Sequence, residues 1–321
     1  MMNAGDMIVA APERWDEACF TVPAVRAMIA SGLRTGILCQ PSQRDFWQTI
    51  SDLVIVDFPV KSKINRIAAS IAGNWQASLA WEAGLAANVF KRAKIAKRLG
   101  PSEKKLVKQL TDPLHFSVNP LEHRVQFYLA ALKELGVRTD SAEFFAAATL
   151  QAANPSDAIL LYPDSDFGPS HEWPIDRWQE IAIRLVEANH RVSVAHTAEA
   201  GNLAELLASR LGDRVLLLAG TPLAASLPML ADHSVVIAAD GSLPHLAAHA
   251  GATCITLFGP NAPAWKRPLG RRHRVVRRHV ECAPCLLAKC PLDHRCQNEL
   301  EIDRVWESIL TILGDAVRCI E

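Results

Sequence analysis

The chain has 321 residues, half of them apolar, with 34 basic and 34 acidic side chains and a formal charge of zero. That length calls for two packed domains of roughly 150 residues each, and the balanced charge removes any general electrostatic case for a nucleic-acid partner. The N-terminus carries no basic segment leading into a long apolar stretch, and no apolar run reaches the ~20 residues of a membrane span, so a cytoplasmic protein is expected.

In chain order, the first half reads as short β-rich runs separated by helical stretches: MIVAA (7–11), TGILCQ (35–40), LVIVDFP (53–59) and ASLAW (77–81). Strand and helix alternation implies a parallel sheet covered on both faces. Between the runs, VPAVRAMIASG and KINRIAASIAG have the apolar spacing of amphipathic helices, each ending near glycine. The first of these is expected to begin near Pro23, after a loop over 12–17.

The pattern restarts after an Ala-rich, then Asn-Pro-Ser-Asp stretch, which places a linker near 148–157. AILLYP, RVSVAHT, RVLLLAG, HSVVIAAD and TCITLFGP follow at spacings that each admit one helix. The fold class is therefore α/β, with two Rossmann-like doubly wound domains. Ligands of such sheets sit at the carboxyl ends of the strands, in strand-to-helix loops.

Four such loops carry chemistry: 12–17, 163–174, 219–223 and 240–245. The first holds Glu13, Asp16 and Glu17, which could supply a general base; equally, acidic residues favour the first turn of a helix through its dipole. The second, Pro163 to Pro174, puts small and hydroxyl residues before a helix N-terminus, an arrangement suited to phosphate. Its Asp164-Ser165-Asp166 spells the Asp-x-Asp of metal-dependent glycosyltransferases, but Asp and Ser clusters are ordinary turn chemistry. The last, Ala239 to Ala248, follows a buried strand; Asp240 and Ser242 could cap the next helix and His245 could be a core histidine. Asn261, in the turn after the next strand, completes a polar rim.

Thr221-Pro222-Leu223, Met229-Leu230-Ala231-Asp232, AADGSLPHLAAHAG, LFGP and a downstream cysteine cluster resemble, in order and spacing, glycosyltransferase family 9, the ADP-heptose:lipopolysaccharide heptosyltransferases, and most of all the type II enzymes. The resemblance implies a GT-B fold: an acceptor domain over 1–152, a sugar-nucleotide domain over 153–302, and a last helix within 303–321 that packs back on the N-terminal domain. It implies an inverting, metal-independent transfer from a nucleotide diphosphate sugar to a lipopolysaccharide-type acceptor. Glu17, beside Asp16, falls on the position of the family's catalytic base. Ser165, Asp166, Phe167, Gly168, His171, Glu199, Thr221, Asp240, Gly241, Ser242, His245 and Asn261 fall on the donor-binding positions. Three of these depart from the family pattern: Glu17 replaces Asp, Asp16 replaces Gly, and His171 replaces a phosphate-facing Lys.

Cys282, Cys285, Cys290 and Cys296 offer four thiols within fifteen residues, enough for a tetrahedral structural zinc site; reduced thiols holding a loop is the alternative. No cofactor is expected for catalysis. A basic stretch from Lys91 to Lys108 could hold an anionic glycolipid or the inner membrane surface, and a second, Lys266 to Arg278, could act near the donor diphosphate. A catalytically silent sugar-nucleotide or glycan-binding homologue is the rival reading. A nicotinamide oxidoreductase is disfavoured because no Gly-x-Gly-x-x-Gly follows the first strand.

Overall fold

The computed structural model describes residues 5–59, 61–152, 156–197, 201–218 and 220–318. They divide into two units, Met1–Ala146 and Ala147–Glu321. The division falls a few residues before the expected break at 152, because the Ala148 N–H donates to the His249 carbonyl at 2.7 Å and ties this stretch to the second unit.

The first unit runs β1 (Asp6–Ala10), α1 (Trp15–Ala30), β2 (Arg34–Cys39), α2 (Arg44–Gln48), β3 (Val54–Asp57), α3 (Ile64–Ile71), β4 (Ala77–Leu79), α4 (Leu85–Arg92), β5 (Lys97–Pro101), β6 (Asp112–Leu114) and α5 (Val125–Glu134). Its six strands are parallel, in the order β3-β2-β1-β4-β5-β6. The order reverses between β1 and β4, which opens a crevice at their carboxyl ends.

Helix α1 starts at Trp15, so Asp16 and Glu17 lie in its first turn and Pro23 lies inside it. A proline within a helix removes one hydrogen bond and costs about 3 kcal/mol. Burial of Phe20, Val22, Val25 and Met28 on this helix offsets that cost, since each large apolar side chain contributes about 1.5–3 kcal/mol.

The second unit runs β7 (Ser156–Tyr162), α6 (Ile175–Glu187), β8 (Val192–Ala195), α7 (Leu203–Leu211), β9 (Leu216–Leu218), α8 (Leu227–Ala231), β10 (His233–Ala239), α9 (Leu243–Ala250), β11 (Thr253–Phe258), α10 (Pro263–Lys266), β12 (Arg274–Arg277), α11 (Arg295–Asn298) and α12 (Ile302–Arg318). Its parallel sheet has the order β12-β11-β10-β7-β8-β9, with the reversal between β7 and β10. The last helix differs from expectation. The buried face of α12, Val305, Ile309 and Ile312, belongs to the second unit's core with Trp178, Ile181, Ile255 and Val276. These residues recur every three or four positions, the stripe a helix needs to lie on a sheet of its own unit. Among the described residues no helix is long and apolar enough to cross a membrane.

Candidate functional site

In the first unit, the loops that leave β1 and β4 at the switch point enclose a pocket of about 350 Å³. Pro12, Glu13, Arg14 and Glu17 line it from the β1 side, Trp81, Glu82 and Leu85 from the β4 side, and Arg124 and Tyr128 from α5. Glu17 is mostly buried, and its Oε2 accepts hydrogen bonds from Arg124 Nε at 2.9 Å and from the Tyr128 hydroxyl at 2.5 Å. Burial first, then the adjacent Glu17 carboxylate, push the Tyr128 phenol well above its usual range, so it remains a donor. The Gln43 amide bonds to the Pro12 carbonyl at 2.7 Å and steadies the turn into α1.

Asp16 points elsewhere. Its carboxylate is fully buried, and Arg14 grips it with two hydrogen bonds of 3.0 Å. Asp16 is not among the pocket-lining residues, so of the two adjacent acids only Glu17 presents itself to the crevice.

In the second unit, the loops after β7 and β10 are tied to one another across the switch point. Asp164 and Asp166 do not converge as a metal-binding pair. Asp164 accepts from the backbone N–H groups of Leu203 and Ala204, at 2.8 and 3.0 Å, and so caps α7. Asp166 accepts from the Ser242 N–H at 2.7 Å. Ser165 Oγ donates to the Asp240 carbonyl at 2.6 Å and accepts from Phe167 N–H at 3.1 Å. Gly241 makes this closeness feasible, because a Cβ there would stand 2.8 Å from Asp166 Oδ1.

At the centre lies Asp240. Its Oδ2 meets His171 Nδ1 at 2.9 Å and the Asn261 amide at 2.7 Å, while its Oδ1 is buried with no hydrogen-bond partner among the described residues. Burial raises the Asp240 carboxyl above the usual carboxylate range, against the opposing pull of His171. The Gln297 amide holds the His171 carbonyl at 3.0 Å, and Phe167 packs edge-on to the imidazole at 5.6 Å. Lys266 sits 5.8 Å over the Phe167 ring and within electrostatic reach of Asp240.

Of the donor-binding candidates, the structure therefore gathers Ser165, Asp166, Phe167, Gly168, His171, Asp240, Gly241, Ser242 and Asn261. Ser242 stands at the N-cap of α9, yet neither it nor Asp240 caps that helix with its side chain. His245 is buried within α9. Thr221 follows β9, two strands away from β7, and Glu199 lies outside the described residues.

Cys282 is exposed, Cys285 and Cys290 are half-buried and Cys296 is buried, and none of the four is in a disulfide. They lie near enough for their charges to raise Cys296, after burial, to about 11. Even so, no group of three or more His, Cys, Asp or Glu side chains is arranged to hold a metal ion among the described residues.

In the basic stretch of the first unit, several cations serve the fold. Lys91 donates to the Lys108 carbonyl at 2.9 Å, Arg92 to Asn65 at 2.7 Å, and Arg98 to the carbonyls of Ile95 and Gln109. The residues that sequence reading missed are Trp81, Glu82, Arg124 and Tyr128. They reach Glu17 or its pocket only through folding, from segments that carry no motif.

Two units of reversed-order parallel sheet, each gathering polar side chains at its switch point, define an α/β protein of the GT-B glycosyltransferase type. The family assignment is direct: the chain belongs to glycosyltransferase family 9 (heptosyltransferase), whose model matches residues 84–295. Lipopolysaccharide heptosyltransferase 1 of Pseudomonas aeruginosa is 30% identical over 146 residues, covering 44% of this chain and 40% of that protein. Lipopolysaccharide heptosyltransferase 2 of Escherichia coli K12 is 31% identical over 126 residues, 37% of this chain and 36% of that protein. The sequence match thus spans well under half the length of these curated relatives. The fold extends further. The E. coli ADP-heptose lipopolysaccharide heptosyltransferase II superposes with a TM-score of 0.80 at 18% identity, covering 97% of this chain and 99% of that one. The E. coli heptosyltransferase WaaC with ADP gives 0.76 at 15% identity, over 96% and 99%.

Proposed function

We propose that this chain is an inverting, metal-independent glycosyltransferase that moves heptose or a similar sugar from a nucleotide diphosphate donor such as ADP-heptose to a lipopolysaccharide-core or related anionic glycan. The observation that carries this reading is the Glu17 carboxylate, set at the switch point of the first unit in a pocket walled by Trp81 and Tyr128. Glu17 takes the proton of the acceptor hydroxyl as that oxygen attacks the anomeric carbon. The bond from that carbon to the diphosphate breaks, its electron pair leaves on the nucleoside diphosphate, and the anomeric centre inverts.

The second unit holds the donor. Its buried Asp240 oxygen accepts a donor hydroxyl, and His171, Lys266 and the loop amides meet the charge that grows on the departing diphosphate. The protein works in the cytoplasm at the inner membrane face, where its basic surface meets a phosphorylated glycolipid. Family membership and the fold support this reading.

A sugar-nucleotide-binding homologue without turnover is the second reading, favoured by the departures from the family pattern at Asp16, Glu17 and His171. Release of nucleoside diphosphate from ADP-heptose, with and without a lipopolysaccharide-core extract, separates the two. Transfer predicts acceptor-dependent release that falls at least a hundredfold in Glu17→Gln; donor binding with no such release establishes the silent homologue.

A further inference from the structure

The carboxylate of Glu17 is approached from one direction by two residues of a single helix. Arg124 stands at the N-cap of α5 and Tyr128 one turn later, so both face the same side. Both reach Oε2, at 2.9 and 2.5 Å. Two bonds on one oxygen set the plane of the carboxylate, and with it the direction of the Oε1 lone pairs.

The clamp is itself braced. The Arg124 guanidinium lies 4.1 Å over the Phe127 ring and 5.4 Å from that of Tyr128. Tyr128 packs edge-on against Trp81 at 4.9 Å, joining it to the opposite wall of the pocket. The start of α5 is pinned to α1 by the Phe20 and His123 rings, 4.9 Å apart, while His123 Nδ1 accepts the Val125 N–H at 3.2 Å. On the α1 side, the Thr21 hydroxyl holds the Glu17 carbonyl at 2.8 Å. A glutamate has three side-chain torsions and spreads over many rotamers when unheld; here the two bonds from α5 remove much of that freedom.

We propose that Arg124 and Tyr128 are positioning residues for Glu17: they aim its carboxylate at the acceptor hydroxyl. This rests on the reading of Glu17 as the base. A proton-accepting group must lie within hydrogen-bond reach of the proton it takes, and a displacement of about 1 Å lowers the rate roughly a hundredfold.

The test compares wild type, Arg124→Met, Arg124→Lys, Tyr128→Phe and Glu17→Gln as full-length proteins. It reads kcat and KM for the acceptor between pH 5 and 9, and ADP affinity by calorimetry. We expect Arg124→Met to lower kcat about a hundredfold with KM for the acceptor little changed, and to leave ADP affinity unchanged. Arg124→Lys should recover much of the loss, and Tyr128→Phe should lower kcat about tenfold, by analogy with a lost positioning contact. An inactive Glu17→Gln beside an Arg124→Met enzyme of normal kcat overturns the positioning role but leaves the base assignment standing. A Glu17→Gln protein of wild-type activity overturns the base assignment.

Discussion

His171 Nδ1 and Asp240 Oδ2 lie 2.9 Å apart, from loops at the ends of two adjacent strands, with both side chains almost wholly inaccessible to water. When one member of such a contact is removed, the other is left desolvated and unpaired, which costs about 3 kcal/mol. His171→Ala is therefore expected to lose about that much stability, and the double variant His171→Ala/Asp240→Asn to recover a good part of it. Chemical denaturation of the wild type, both single variants and the double variant forms the cycle. Strictly additive losses would show that the two residues do not act as a pair.

Glu172 predicts a pH dependence of stability. Burial raises its carboxyl above the usual range, partly opposed by the bond it accepts from the Ser165 N–H at 3.1 Å. With the folded value above the unfolded one, this group disfavours folding once it ionises. Its contribution is most favourable below the ordinary value near 4.5 and is lost as pH rises through the folded value. Glu172→Gln keeps an oxygen for Ser165 and removes the charge. Its melting temperature should match or exceed that of the wild type at pH 8, and the two should converge below pH 4.5. A variant less stable at pH 8 would refute this.

Gly168 has φ +111°, and a Cβ there would stand 2.5 Å from the Ala288 carbonyl oxygen. The next turn is fastened to the same segment, since the Ser170 N–H donates to Ala288 O at 3.2 Å and its hydroxyl to Leu287 O. Backbone cannot retreat as a flexible side chain would. Gly168→Ala combines an unfavourable φ with a clash and should cost about 2 kcal/mol, seen as a lower melting temperature. It should also weaken ADP binding, because the displaced loop carries His171.

The thiols sort by burial. Alkylation of the native protein, followed residue by residue in peptide digests, should reach Cys282 first and then Cys285 and Cys290. Cys19, Cys39 and Cys254 should stay unlabelled until the chain is unfolded. Burial pushes the thiol of Cys39 up to about 12 and those of Cys19 and Cys254 well up, and only the thiolate reacts. Early labelling of Cys254 would reveal opening of the second unit between β10 and β11.

The strands missed in the sequence explain how much of the fold could be read there. Runs such as MIVAA, AILLYP and SVVIAA are buried on both faces, so their apolar continuity announces them. Strands β5, β6 and β12 do not announce themselves. The first and last, KRLGP and RVVR, lie inside the two basic stretches, and β6 is the three-residue DPL. Strands β6 and β12 are at sheet edges and pair on one side only, so few apolar residues suffice and charges are tolerated.

The candidate site divides in the same way. Its acids and histidine sit in or just past strand-to-helix loops, where local sequence marks them: Glu17 in the first turn after the β1 loop, His171 after β7, Asp240 after β10. The jobs of neighbouring acids could not be read locally. Asp16 turns to Arg14 while its neighbour Glu17 meets Arg124, and Asp164 caps a helix nearly forty residues further on.

By itself, then, the sequence determined the α/β class, the two-unit organisation, the family and the loops that carry polar chemistry, because periodicity and loop composition are local and survive in a linear string. Only the tertiary structure decided that Arg124 and Tyr128 meet Glu17, that His171 and Asn261 converge on Asp240, and that the last helix completes the second unit's core. Those contacts join segments tens of residues apart, and only burial of a shared core brings them within hydrogen-bonding distance.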